Sequence, residues 1–140
     1  MPDYPGFSLA IRVYYEDTDA GGVVYYANYL KFFERARTER LRALGFEQSE
    51  LQKREGILFA VRTVVVDYLK PARFDDSLLV TADIEDLKRA SLTFVQRIFR
   101  SDEPEQPLCL ARVRVVCLSA EQFTPRPIPD ELLKRIRNDA

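Results

Sequence analysis

Residues 16–24, EDTDAGGVV, combine acidic side chains, a glycine pair and the start of a predicted helix in this 140-residue chain. Gly21 and Gly22 can adopt positive φ and let a ligand approach the backbone closely. The first turn of the following helix presents unpaired N–H groups at the positive end of its dipole, where they can hold an oxyanion. An upstream carboxylate with such N–H groups makes a minimal acyl-transfer site, in which one group attacks or activates water and the other stabilises the tetrahedral oxygen.

The same segment also has a purely structural interpretation. Asp-Thr-Asp ahead of a helix is typical of turns and helix N-caps, and spacing alone favours that interpretation. The chain contains no histidine, which excludes Ser-His-Asp and Cys-His triads, zinc sites built on histidine and hydratases with a His-Asp pair. Acid–base chemistry must therefore use carboxylates, lysine, tyrosine, cysteine or backbone dipoles.

A helical period from about residue 26 to residue 44 follows this segment, and Gly45 is its predicted C-cap. On a helical wheel one broad apolar arc forms, which indicates that the helix covers an apolar surface. The arc consists of Tyr26, Leu30, Phe33, Leu41 and Leu44, flanked by Tyr29, Phe32 and Ala36. Arg37 and Arg40 interrupt the arc, and we expect their long stems to carry both charges out to water rather than into a buried ion pair.

Apolar alternation of period two predicts five strands. They span residues 8–15, 57–69, 78–88, 91–100 and 108–118. In the third strand we expect Leu78, Val80, Ala82 and Ile84 to face the core and Thr81, Asp83 and Glu85 to face water. The turn-rich junctions are short, which favours antiparallel neighbours, and a short helix over residues 130–137 ends the chain. One amphipathic helix against a five-stranded antiparallel sheet is an α+β fold, predicted as a single domain over residues 1–140.

Composition restricts the possible partners and location. Twenty-one Lys and Arg residues balance 22 Asp and Glu residues, so the basic excess typical of nucleic-acid binding is missing. Cys109 and Cys117 lie on one face of a strand about 26 Å apart, beyond disulfide reach, which fits a reducing compartment. With neither a leader pattern nor an apolar run of about 18 residues, the sequence predicts a cytoplasmic protein without a membrane span.

The run VYYEDTDAGGVVYYANYLKFFERARTERLR, residues 13–42, resembles the signature of the hotdog-fold thioesterases related to 4-hydroxybenzoyl-CoA thioesterase. Within them it is most similar to the Tol-Pal-associated acyl-CoA thioesterases of the YbgC type, and weaker similarity continues through YLKPARFDDSL and SLTFVQRIF to RPIP. The resemblance implies a five-stranded antiparallel sheet wrapped around one long helix and hydrolysis of acyl-CoA to free acid and coenzyme A, with no metal or other cofactor. It also implies homodimers whose sheets join edge to edge, with the site between subunits, and further pairing into homotetramers.

Carried over by position, the resemblance implies that Asp19 is the catalytic carboxylate, either a nucleophile that forms an acyl anhydride or a general base for water. The amide that polarises the carbonyl maps to the helix start, where the Tyr26 N–H is the best match within residues 24–27. Gly22 and Val24 are then candidate substrate-binding residues. Many close relatives have histidine in place of Tyr26, which leaves substrate preference open. Asp17 matches a position without assigned chemistry, and we interpret it as a turn or capping residue.

Further candidates come from the resemblance to the same family. Lys88, Arg89 and Ser91, with Arg126 as a weaker member, are candidates for the nucleotide end of coenzyme A, although a basic turn is otherwise typical of a solvated surface. Tyr29, Phe33 and Phe59 either line an acyl tunnel or simply pack the core. The strand that carries Thr63, Asp67 and Tyr68 looks central, and we interpret Asp67 as a structural acid.

Two other functions are weighed against hydrolysis. The first is a non-catalytic scaffold that binds acyl groups or acyl carrier protein in phospholipid metabolism near the cell envelope. The second, nucleic-acid binding, is disfavoured by the balanced charge and would require strongly salt-dependent binding.

Overall fold

The computed structural model describes residues 6–139; residues 1–5 and 140 of the predicted domain lie outside the described range. Within that range the chain forms one long helix, two shorter helices and a set of antiparallel strands. The elements are β1 (Ser8–Arg12), a 3-10 turn (Tyr15–Asp17), α1 (Asn28–Ala43), α2 (Gln48–Glu55), β2 (Ile57–Tyr68), β3 (Ser77–Thr81), β4 (Asp83–Glu85), β5 (Ser91–Arg100), β6 (Pro107–Ser119) and α3 (Asp130–Asp139). The predicted α+β class is confirmed, whereas α2 was not predicted.

The strands form one sheet in the order β1-β3-β5-β6-β2, and β4 also pairs with β5. The strand that carries Thr63, Asp67 and Tyr68 is therefore at the edge, so the prediction that it is central was wrong. A central strand that is buried on both faces and an edge strand with apolar side chains are both rich in β-branched residues. The composition of a strand therefore does not show whether it is central or at the edge. β1 ends at Arg12, three residues before its predicted end, because the chain turns there into the 3-10 turn.

The predicted third strand is interrupted at Ala82, which divides it into β3 and β4. The cause is a buried side chain of β5: Gln96 Nε2 donates to the Thr81 carbonyl at 3.0 Å, and the Arg97 N–H donates to Thr81 Oγ1 at 2.9 Å. Side-chain bonds thus take the place of main-chain pairing. Thr81 is fully buried, so the expectation that it faces water was wrong, because its hydroxyl has a partner inside the protein.

Helix α1 packs its apolar side into the sheet, with Tyr29, Phe32, Phe33, Ala36 and Leu41 buried. Gly45 has a φ of +95°, and its N–H donates to the Arg42 carbonyl while the Phe46 N–H donates to the Leu41 carbonyl, both at 2.9 Å. This pair of bonds is the Schellman arrangement that glycine favours, and it confirms the predicted helix end.

The predicted apolar arc of α1 is only partly covered. Tyr26 and Leu30 keep 60% and 42% of their surface exposed, so their predicted burial was wrong. They lie towards the start of α1, where the sheet ends at its edge strand. Periodicity reports which residues share a helix face, but how far the sheet extends over that face is decided by strand order.

The two arginines of the arc have partners inside the protein. Arg40 Nη1 lies 2.7 Å from Asp139 Oδ2, with 13% of the Arg40 side chain exposed, and Arg37 Nη1 donates to Gln96 Oε1 at 3.0 Å. The expected solvation of both charges was therefore wrong. Their partners lie on α3 and β5, which are distant in sequence, so local pattern could not reveal them.

Cys109 and Cys117 are both buried and unpaired, as predicted. Burial raises the pKa of the Cys109 thiol to about 12 and that of Cys117 to about 11. Both side chains are therefore neutral near pH 7 and do not supply a thiolate nucleophile. No helix within residues 6–139 has the length and apolar character needed to span a membrane.

Candidate active site

The loop between the 3-10 turn and α1 folds back on itself. Thr18 pairs with Val24, the Asp19 N–H donates to the Val23 carbonyl at 2.9 Å, and the Gly22 N–H donates to the Asp19 carbonyl at 3.0 Å. Gly22 has a φ of +79°, a conformation that a side chain would strain. The sequence DTDAGGVV therefore forms a tight turn that places the Asp19 side chain at its tip.

The Asp19 carboxylate is exposed and held from one side. Its Oδ1 accepts a hydrogen bond from the Gly21 N–H at 2.8 Å, while Oδ2 has no hydrogen-bond partner among residues 6–139. A Cβ atom on Gly21 would lie 3.2 Å from Oδ1, so glycine allows this close approach. One carboxylate oxygen is fixed and the other is free to meet a substrate or a water molecule.

Asp17 has a different environment from Asp19. Its Oδ2 accepts from the Tyr14 N–H at 2.9 Å, and its main-chain carbonyl accepts from the Tyr25 N–H at 2.9 Å and from Asn28 Nδ2 at 3.0 Å. These bonds tie the 3-10 turn to the start of α1 and agree with the interpretation of Asp17 as a capping residue.

The amide groups at the helix start are not equally available. The N–H groups of Val24 and Tyr25 donate to main-chain carbonyls at 2.8 and 2.9 Å, so neither can bind a ligand oxygen. Those of Tyr26 and Ala27 have no acceptor within residues 6–139. The sequence left the N–H groups of residues 24–27 as candidate oxyanion donors. The hydrogen bonds of Val24 and Tyr25 leave Tyr26 and Ala27 as the candidates.

A cleft of about 250 Å³ lies at Tyr26. It is lined by Val24, Tyr26, Tyr29, Tyr68, Leu69, Lys70 and Pro71. The rings of Tyr26 and Tyr68 meet edge to face at 6.0 Å. Burial raises the pKa of Tyr29 and of Tyr68, so both phenols remain neutral near pH 7. The cleft therefore offers a mostly apolar surface at Tyr26, and Lys70 is the one charged residue in its lining.

A second cleft, of about 580 Å³, brings together the predicted cations Lys88, Arg89 and Arg126 with Arg137 of α3. The Ile128 N–H donates to the Arg89 carbonyl at 2.7 Å, which holds the C-terminal segment against the basic turn. Sequence analysis missed Arg137, because only the docking of α3 brings it to this cleft. The available signal was its position as a cation in the last turn of α3.

Ser91 is not part of this basic cleft. Only 7% of its surface is exposed, and its Oγ accepts a hydrogen bond from Arg114 Nη2 at 3.0 Å. Of the predicted acyl-tunnel residues, Tyr29 lines the cleft at the helix start, Phe59 lines a separate cavity between α1 and the sheet, and Phe33 is buried in the core.

An antiparallel sheet around one long helix, with a carboxylate loop leading into two free N–H groups at the helix start, defines a hotdog-type thioesterase. The family model described as the thioesterase-like superfamily matches residues 13–136, and the chain belongs to that superfamily.

Relatives are similar over most of the chain. The acyl-CoA thioesterase YbgC of Haemophilus influenzae is 46% identical over 127 residues, which cover 91% of each chain. The acyl-CoA thioester hydrolase YbgC of Escherichia coli O157:H7 is 44% identical over 131 residues, covering 94% of this chain and 96% of that protein. A probable thioesterase from Bartonella henselae, known from its crystal structure, superposes with a TM-score of 0.82 at 36% identity and covers 88% of this chain and 98% of its own.

Proposed function

We propose that this chain is an acyl-CoA thioesterase that hydrolyses acyl-CoA to a free acid and coenzyme A. The observation that carries the proposal is the loop itself, which has the exposed Asp19 carboxylate at its tip and ends at the free N–H groups of Tyr26 and Ala27. The YbgC relatives, which are up to 46% identical to this chain, are named as acyl-CoA thioesterases or thioester hydrolases and support the same conclusion.

The reaction uses these groups in two roles. The Tyr26 N–H, or that of Ala27, donates a hydrogen bond to the thioester oxygen and stabilises the negative charge that develops on it. Asp19 either removes a proton from an attacking water or attacks the carbonyl itself, which gives an acyl anhydride that water then hydrolyses. In both routes the C–S bond breaks and coenzyme A leaves as its thiol or thiolate. Water that attacks the acyl carbonyl leaves its oxygen in the free acid, and Asp19 returns to the carboxylate.

The basic cleft supports binding of the nucleotide end of coenzyme A. Lys88, Arg89, Arg126 and Arg137 line it together with the acids Glu55 and Asp130, so positive charge is in excess there. Guanidinium and ammonium groups pair strongly with phosphate. An acyl carrier protein, whose prosthetic group ends in the same thiol, is the alternative carrier and a proposed partner.

Edge strand β2 supports a homodimer. Val61, Val64, Val65 and Tyr68 each keep more than two fifths of their surface exposed, and an apolar strand with one unpaired edge is suited to pair with another copy of itself. Such pairing joins two sheets and brings the start of α1, where Tyr26 contacts Tyr68 of β2, near the other subunit. We further propose pairing of dimers into homotetramers, a cytoplasmic location and an association with the Tol-Pal system.

Release of thiol tests the catalytic assignment. Wild type, Asp19→Asn and the control Asp102→Asn, which changes another exposed acid, are compared across short to long acyl-CoAs and the benzoyl and 4-hydroxybenzoyl forms. We expect Asp19→Asn to lose at least about 100-fold in kcat, the lower end of general-base contributions, while Asp102→Asn matches wild type. Activity retained in Asp19→Asn refutes the assignment. Acyl binding without thiol release by any variant would instead favour the scaffold function.

A further inference from the structure

Segment 71–76, which joins β2 to β3, lies against the acidic loop. The Val24 N–H donates to the Ala72 carbonyl at 2.8 Å. The Phe74 N–H donates to the Gly22 carbonyl at 3.4 Å. Residues 22 and 24 belong to the tight turn that carries the proposed catalytic carboxylate, so the position of that carboxylate depends on the position of the segment.

The same segment is also bound to the start of α1. The Ala72 N–H donates to the Tyr29 hydroxyl oxygen at 2.9 Å, and both residues are buried. Tyr29 lies in the first turn of α1, and its N–H donates to the Tyr26 carbonyl at 3.3 Å. The carbonyl of Ala72 therefore holds the acidic loop, while its N–H holds the helix that begins at the free amides. Through these two bonds Ala72 fixes the spacing between Asp19 and the Tyr26 N–H.

One guanidinium group binds segment 71–76 at both of its ends. Arg100 is the last residue of β5, and its Nη2 donates to the Pro71 carbonyl while its Nε donates to Asp76 Oδ2, both at 3.0 Å. The side chains of Arg100 and Asp76 are only 25% and 22% exposed, so water screens this pair less than it screens a fully exposed one. The same Asp76 oxygen accepts from the Arg73 N–H at 2.8 Å.

The backbone of the segment needs such support. Asp75 has a φ of +71°, which is uncommon for a residue with a side chain and persists where surrounding contacts hold it. Main-chain bonds of Asp75 and Asp76 to Val13, both at 3.0 Å, secure this end of the segment. At the other end Pro71 has no N–H to donate, and its carbonyl is held by Arg100.

We propose that Arg100, paired with Asp76, is a positioning residue for thioester hydrolysis. It holds segment 71–76, and through the segment it fixes the Asp19 carboxylate relative to the Tyr26 amide. Neither Arg100 nor Asp76 lines the cleft at Tyr26, so their effect on the reaction passes through the main chain of the segment. The proposal rests on the proposed thioesterase activity, because it assigns the two groups that Arg100 positions to that reaction.

The first test compares kcat and KM for one acyl-CoA in wild type, Arg100→Met and Asp76→Asn. The matched control is Arg40→Met, which removes an arginine whose side chain is 13% exposed and pairs with Asp139 of α3. Because a displacement of about 1 Å can cost about 100-fold in rate, we expect kcat to fall about 10- to 100-fold in Arg100→Met and in Asp76→Asn. We expect KM to stay close to its wild-type value in both, and Arg40→Met to keep the wild-type kcat per folded molecule.

A second comparison separates positioning from a loss of folded protein. Arg100→Met is measured again in the Asp19→Asn background. A smaller folded fraction lowers kcat by the same factor in both backgrounds, whereas the position of the carboxylate matters only where the carboxylate is present. We therefore expect Arg100→Met to have a much smaller effect on kcat in Asp19→Asn, as for residues that act as a unit. The double variant Arg100→Met, Asp76→Asn should lose no more kcat than the slower single variant, because both changes break one ion pair.

Two results would overturn the proposal while leaving thioesterase activity intact. One is a wild-type kcat in Arg100→Met. The other is the same fold loss of kcat in the wild-type and Asp19→Asn backgrounds, which would make Arg100 a purely structural residue.

Amide hydrogen exchange tests the hold of Arg100 on the acidic loop without any substrate. It decides the case in which Asp19→Asn has no measurable activity, and also the case in which wild type hydrolyses no thioester and the proposed function fails. Arg100→Met should speed exchange of the Val24 N–H about tenfold or more, the scale of one charge-assisted hydrogen bond. Exchange of the Cys117 N–H, which donates to the Ala90 carbonyl at the same distance of 2.8 Å, should not change. Wild-type exchange at Val24 in the variant refutes the proposal.

Discussion

Removal of the Tyr26 amide proton without loss of the fold is the sharpest test of the oxyanion site. Tyr26 is the second residue of the turn closed by the Asn28 N–H and the Tyr25 carbonyl at 2.8 Å, a position that proline favours. The Tyr26 N–H has no acceptor within residues 6–139, so Tyr26→Pro breaks no hydrogen bond there. The matched control Tyr26→Ala loses the same ring but keeps the N–H.

Comparison of Tyr26→Pro with Tyr26→Ala measures the contribution of the amide proton to kcat. Loss of one oxyanion donor costs about 100- to 1,000-fold in kcat, or roughly 2.7–4 kcal/mol of transition-state stabilisation. We expect this loss in Tyr26→Pro relative to Tyr26→Ala. Because proline restricts the unfolded chain and is favoured at the second position of such a turn, the free energy of unfolding of Tyr26→Pro should stay within about 1 kcal/mol of that of Tyr26→Ala.

Steady-state kinetics on one acyl-CoA and thermal unfolding, measured side by side, give both quantities. If Tyr26→Pro retains the kcat of Tyr26→Ala, the reasoning about Tyr26 is refuted, and Ala27 becomes the only remaining donor from residues 24–27. A fall in kcat accompanied by an equal fall in thermal stability would show that the turn, rather than the amide, had been lost.

Two further predictions concern the carboxylate and the basic cleft. Gly21→Ala should lower kcat about tenfold without preventing folding, because its Cβ would press on Asp19 Oδ1 at 3.2 Å; wild-type kcat in the variant would show that this carboxylate position does not matter. The double variant Lys88→Ala, Arg89→Ala should have a KM for acyl-CoA that is about tenfold higher, because it loses two cations that can pair with the phosphates of coenzyme A. Its KM for a truncated thioester without the nucleotide should not change. Equal effects on both substrates would remove these cations from the nucleotide site.

The loop and its carboxylate were accessible from sequence because their signals are local. Three features depend on only a few neighbouring residues: the positive φ of Gly22, the capping role of Asp17 and the glycine after α1. Turns are determined by the residue types within such a short segment. The choice among the amides of residues 24–27 was not accessible. It depends on the Ala72 carbonyl, which accepts from Val24 and lies nearly fifty residues away in the chain.

The sequence by itself determined the class of fold, the single long helix, the position of the acidic loop and the family. Periodicity and contiguous motifs depend only on residues that are close together in the sequence, so they can be recognised without the fold. Only the tertiary structure decided that β2 is an edge strand, that Thr81 is buried and that Arg37 ends against Gln96. Each of these depends on strand order or on a partner distant in sequence. Burial and pairing are properties of the surface that a segment meets, and that surface exists only after the chain has folded.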